Sequence, residues 1–241
     1  MKKLLLVLMV GICSSQLYSQ VLISLLFGDK LNSEGVEFGL DGGLNYSNMK
    51  GFEGDNFVRS LNLGFYFDFQ LKRSPWSLRT GVMVKSSRGG GNLSTNDLLE
   101  IDSSFQFDGD GSYSQKLGYF DVPVMLKYKL KNNFYAEFGG QVSLLNKAYI
   151  EYEEDDGNRT EVIKTENKDL MNRIDAGLLG GVGYKFLKGK GLTLGMWYYY
   201  GMANVYKNMT GNTNSAVTFK ILIPVGAGKT KKKAEQPSSD N

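Results

Sequence analysis

The chain has 241 residues with 28 basic and 25 acidic side chains, and a formal charge of +3 gives no ground for nucleic-acid binding. It contains no histidine and one cysteine, which excludes Ser-His-Asp hydrolysis, Cys-His chemistry, most zinc sites and any disulfide within the chain. Thirty glycines in a chain with 41% hydrophobic residues are the feature that the elements below must explain.

The first 20 residues, "MKKLLLVLMVGICSSQLYSQ", have a basic start, an apolar run from Leu4 to Ile12 and a polar stretch of small residues. This is the order of an export signal, and the run is about half of the ~20 residues that a spanning helix needs. Cleavage after Ser19 or Gln20 removes Cys13, Lys2 and Lys3 and leaves a charge of +1. Residues 21–34 place Val21, Leu22, Leu25 and Leu26 at helical spacing, an amphipathic N-terminal periplasmic segment that docks at the periplasmic mouth, plugs the barrel or is a disordered leader.

Eight segments of period-two alternation follow, at about 35–46, 59–71, 76–85, 117–130, 134–147, 172–186, 192–206 and 215–225. Most run 10 to 15 residues, long enough for a tilted membrane crossing of about 9 to 11. The links "KRSP", "KNN" and "LKGKG" are short, and the links from Ser47, Ser86, Ala148 and Lys207 are long. Strict alternation of short and long links predicts an all-β, eight-stranded antiparallel up-and-down transmembrane β-barrel over residues 35–226. Its short turns and both termini are expected on the periplasmic side of a bacterial outer membrane, with long loops outside and residues 227–241 as a basic, polar periplasmic tail.

"YFDVPVMLKYKL" (119–130) shows the two faces. In a soluble barrel the apolar row would line the core; in a membrane barrel it meets lipid and the polar row faces the lumen. The polar rows carry six acids, Glu37, Asp41, Asp68, Asp121, Glu137 and Asp175, and six bases, Arg79, Lys85, Lys127, Lys129, Lys185 and Lys220. They also carry many glycines, among them Gly39, Gly64, Gly139, Gly181 and Gly195. Long charged side chains fit a narrow lumen when their neighbours are small, and a balanced set can pair there, so these twelve are expected to form a lumen charge network. Pro123 and Pro224 are expected at the rims, because a proline cannot donate to a ladder. Tyr46, Trp76, Tyr119, Phe134, Trp197 to Tyr200 and Tyr206 are expected in part at interfacial girdles.

The stretches "EFGLDGGLNYS", "LGYFDVPVMLKYKL", "AEFGGQVSLL" and "RIDAGLLGGVGYKF" resemble the PorT-like outer-membrane β-barrel family. The resemblance covers nearly all of 35–226 and implies an outer-membrane barrel, in some members a component of protein secretion, with no catalytic residue to carry over. Residues 21–34 and the tail "GAGKTKKKAEQPSSDN" depart from it.

The third long loop, 151–169, carries eight acids and three bases without EF-hand spacing, so a solvated surface loop is expected rather than a cation site. "RGGGN" (88–92) lacks the strand-to-helix setting of a phosphate loop. Lys229 and Lys231 to Lys233 of the tail form a solvated run, or else a contact for anionic lipid headgroups or a periplasmic partner. The function expected is that of a non-enzymatic barrel without cofactor or metal, surrounded by outer-membrane lipid, acting in assembly, secretion or envelope integrity with other envelope proteins. The alternative is a barrel that binds or transports a small solute; a histidine-free outer-membrane enzyme is the third reading.

Overall fold

Period-two patterning becomes nine strands in the computed structural model, which describes residues 35–225 except 55, 72–73, 104–110, 156–159 and 190. The expected export signal, the 21–34 segment and the tail lie outside the described residues. The strands are β1 (Val36–Met49), β2 (Asn56–Gln70), β3 (Trp76–Gly91), β4 (Ser112–Lys129), β5 (Phe134–Asp155), β6 (Thr160–Glu166), β7 (Ile174–Lys185), β8 (Thr193–Asn204) and β9 (Thr213–Pro224). All pairings are antiparallel, and the ring runs β1-β2-β3-β4-β5-β7-β8-β9 and closes where β9 pairs with β1. An eight-stranded barrel therefore stands as expected, and closure leaves no unpaired edge around the ring.

The ninth strand is the first departure. In the third long link β5 continues to Asp155 and turns back as β6, whose partner is β5. A hairpin thus replaces the expected loop beginning at Ala148, and alternation in "TEVIKTE" is too mixed with charge to have marked it. The second long link holds a short helix, α1 (Thr95–Ile101), where a loop is expected from the sequence. Ser94 Oγ accepts from the Asp97 N–H and Asp97 accepts from the Ser94 N–H, a capping box whose Ser-x-x-Asp spacing was the available signal.

Short turns join β2 to β3, β4 to β5 and β7 to β8 at one end, called here the short-turn end; the opposite end is the long-loop end. The β4–β5 turn uses Asn132 and Asn133 at φ of 59° and 66°, a left-handed backbone that asparagine tolerates.

Apolar side chains face outward along the wall. Leu126, Val124, Val122 and Phe120 of β4 are exposed while Lys127, Met125, Pro123 and Asp121 between them are buried. At the short-turn end Trp76 packs on Tyr128 at 4.7 Å, and Tyr184 on both Phe134 and Phe186 at 4.9 Å, an outer aromatic rim. Other aromatics expected at girdles lie inside: Tyr119, Trp197, Tyr199 and Tyr206 are all buried.

Pro123 is not at a rim. It lies well inside β4, and the β3–β4 pairing passes from Thr80↔Val124 to Met83↔Asp121, skipping the position where proline has no N–H. Thr80 Oγ1 donates to the Pro123 carbonyl at 2.8 Å across the gap. Pro224 does sit at the short-turn end, opposite Gly39.

Candidate functional site

The inner wall brings charged side chains together because each inward position on one strand faces inward positions across a narrow ring. Asp68 and Arg79 are direct register partners on β2 and β3, and Arg79 Nη2 reaches Asp68 Oδ2 at 3.1 Å. Its other nitrogen, Nη1, reaches Glu137 Oε1 of β5 at 3.1 Å, and Lys127 Nζ of β4 closes on Asp68 Oδ2 at 2.5 Å. Trp197 Nε1 donates to Glu137 from β8. The Arg79 guanidinium also lies over the rings of Tyr66 at 5.1 Å and Tyr135 at 5.5 Å. Two smaller pairs flank this group: Lys220 with Asp41 at 3.0 Å, and Lys185 with Glu37 at 2.5 Å, where the Tyr66 hydroxyl also donates to Glu37.

A second cluster lies nearer the long-loop end and turns on Arg88. Its guanidinium meets Asp121 at 2.9 Å and Asp175 at 3.6 Å and sits over the rings of Tyr119 and Tyr199. Asp175 accepts in addition from the Tyr199 hydroxyl and from Asn214 Nδ2, both at 3.0 Å. Arg88 has no role expected from the sequence, where Lys85 is the residue expected in the lumen. Lys85 is exposed and pairs with Leu63 of the outer row, because β3 carries a bulge: Met83 pairs with Gly64 and Lys85 with Leu63, leaving Val84 as the extra residue. Odd-numbered residues face inward before the bulge and even-numbered ones after it, so Ser86 and Arg88 are buried. Lys129 also departs from expectation. It is exposed at the mouth of the short-turn end, where β4 ends.

Among the described residues the inner-wall network therefore holds six acids and five bases, joined by tyrosine, tryptophan and asparagine. The aromatics explain the glycines better than the charges do. A Cβ on Gly181 would lie 2.6 Å from Trp197 Cγ, and one on Gly195 would lie 2.6 Å from Cη2 of the same ring. The indole lies flat against two strands, where any side chain would displace it.

Above the charged clusters the inside becomes apolar. Met49, Leu98, Ile101, Leu117, Leu145, Met171 and Tyr206 are packed together at the long-loop end, drawing on β1, α1, β4, β5 and the loops around them. Gln115, fully buried, ties this core together: it exchanges hydrogen bonds with Asn167 and accepts from the Tyr206 hydroxyl at 2.8 Å. Burial holds the Tyr206 phenol well above the ordinary tyrosine value. Asp97 fastens α1 to the first long loop by accepting from the Glu53 and Gly54 N–H groups at 2.9 and 3.0 Å.

On the projecting hairpin every residue of β6 is exposed, Lys164 pairs with Glu151 at 3.2 Å, and this hydrogen bond raises the Lys164 amine above its usual value. Glu151 also meets Lys116 at 3.6 Å. No group of three or more metal-ligating side chains comes together among the described residues.

A family model described as outer membrane protein beta-barrel domain matches residues 20–207. A search of the curated proteins returned no match. Among solved structures, the Neisserial surface protein A is similar with a TM-score of 0.43 and 9% identity over 79% of this chain and 97% of that one. Ail, the attachment invasion locus protein of Yersinia pestis, has a TM-score of 0.41 and 12% identity over 80% of this chain and 99% of that one. OprG from Pseudomonas aeruginosa has a TM-score of 0.35 and 13% identity over 78% of this chain and 91% of that one.

Proposed function

The chain belongs to the outer membrane protein β-barrel domain family, and from that premise we propose that it is a non-enzymatic barrel whose work is done at its long-loop end. In this reading the short turns and both termini face the periplasm, and the long-loop end meets a partner in envelope assembly or protein secretion, as the PorT-like resemblance implies. One observation carries the proposal: the inside of the barrel is occupied. Arg79 and Glu137 are each 4% exposed in the ring interior, and an apolar core of loop and strand residues covers the long-loop end. The charged groups at the middle of the ring, which would line a solute path, are buried, and this disfavours the transport alternative.

What remains for recognition is the outside of that covered end. There α1, the first long loop and the β5–β6 hairpin are fixed by specific hydrogen bonds, a shape held ready for a partner. The test is in two parts. In planar bilayers the protein is expected to give no stable ohmic conductance, and a steady porin-like conductance would refute the filled-barrel argument. Purification from outer membranes in mild detergent should then recover an envelope or secretion component with the intact chain. That component should be lost when the exposed β6 residues Glu161, Ile163 and Lys164 are replaced by serine, and equal recovery with that variant would refute the role of the hairpin.

A further inference from the structure

We propose that the outer wall formed by β2, β3, β4 and β5 carries, at its long-loop end, a binding patch for the phosphate groups of anionic membrane lipid, held by Arg59, Lys85 and Lys147. The proposal rests on the membrane placement of the barrel but not on the role of its loops.

The outer surface has two unlike halves. On β7, β8, β9 and β1 every described outward strand position is uncharged, from Ile174, Leu178 and Val182 to Phe219, Ile221 and Leu44, and the cation Lys50, just past the end of β1, lies over the ring of Tyr200 at 4.2 Å. On β2 to β5 the outward wall carries Arg59, Lys85, Lys116 and Lys147, one on each of four adjacent strands. Glu151, higher on β5, already answers Lys116. Among the described residues no carboxylate pairs with the other three, and Arg59 has for company the ring of Tyr46, 5.7 Å away. All three are exposed.

Register places them together. Lys147 pairs with Gly118, and Gly118 pairs with Ser87, two residues beyond Lys85 toward the long loops. Arg59 lies four residues beyond Leu63, the partner of Lys85. At about 3.3 Å per residue and 4.8 Å between strands, the three cations fall within a region on the order of 16 Å across. Exposed Leu61, Val82, Phe120 and Leu144 adjoin it toward the middle of the wall.

A bare cation on a lipid-facing wall is least costly at the interface, where a long side chain can lift its charge to the headgroups. Three such cations on one side, brought outward in two cases by bulges in β3 and β5, have no carboxylate beside them among the described residues, and anionic headgroups answer that charge. The charge is positive and the neighbouring surface is apolar, so the complementary ligand pairs a phosphate with acyl chains. Free inorganic phosphate meets the first requirement and lacks the second.

The experiment measures which lipids stay with the purified full chain. The protein is folded in mixed micelles containing equal phosphatidylglycerol and phosphatidylcholine, and retained lipid is counted by native mass spectrometry. The wild type should retain phosphatidylglycerol in excess. The Arg59→Gln/Lys85→Gln/Lys147→Gln variant should lose that excess, by on the order of fivefold per cation removed. Lys129→Gln/Lys131→Gln, at the opposite end, should keep it. Heat-dependent gel mobility reports that each variant is folded, and if the triple variant is not, Lys147→Gln alone must still lose about fivefold. An unchanged preference in the folded triple or in Lys147→Gln, or an equal loss in the short-turn control, overturns the proposal.

Discussion

Replacing Arg79 with methionine keeps much of its length while removing the charge that two buried carboxylates rely on. The guanidinium bonds to Asp68 and Glu137 at 3.1 Å each and covers two tyrosine rings, and all of these side chains are buried. Breaking a buried ion pair by removing one partner costs about 3–5 kcal/mol, because the other charge stays behind without an answer. Here Asp68 keeps Lys127 at 2.5 Å and Glu137 keeps the Trp197 indole, so the loss falls near the low end, about 3 kcal/mol. That is on the order of a 150-fold shift toward the unfolded barrel. Urea titration of the protein in lipid vesicles measures it, with tryptophan fluorescence as the signal, since Trp197 contacts the perturbed group. Adding Glu137→Gln to Arg79→Met removes the stranded carboxylate and should recover part of the loss, a coupling that a mere packing defect would not show. A folded Arg79→Met protein within about 0.5 kcal/mol of wild type would refute the claim that this network holds the ring together.

The bulge in β3 makes a paired prediction: Arg88→Met should cost about 3 kcal/mol in the same titration and Lys85→Met about 1 kcal/mol or less, and the reverse order would mean that the inward parity is wrong. Gly181→Val forces a side chain into the Trp197 ring and should cost about 1–3 kcal/mol while shifting the fluorescence maximum of the folded state. Tyr206 supplies a pH dependence. Its pKa is raised in the folded protein, so its contribution is fully present below the unfolded tyrosine value of about 10 and is lost as pH rises above it. The stability of wild type should therefore fall more steeply above pH ~10 than that of Tyr206→Phe, and parallel curves would count against burial of that phenol in the cap.

Alternation along "YFDVPVMLKYKL" and its counterparts determined that the chain makes long strands with one apolar and one polar face, and alternating link lengths determined an up-and-down barrel. Ten of the twelve charged residues assigned to the lumen lie on the inner wall in ion pairs for the same reason: parity is a local property of an extended chain. Tertiary structure decided the rest. The bulges at Val84 and near Asn146 arise from how each strand registers against its neighbours, and one extra residue reverses every face beyond it; this sends Lys85 out and brings Arg88 in. The cap at the long-loop end was equally hidden, because Met49, Leu98, Met171 and Tyr206 come from four distant segments with no shared period. Ring closure puts them over one opening, and burying their apolar surface there holds the loops in place.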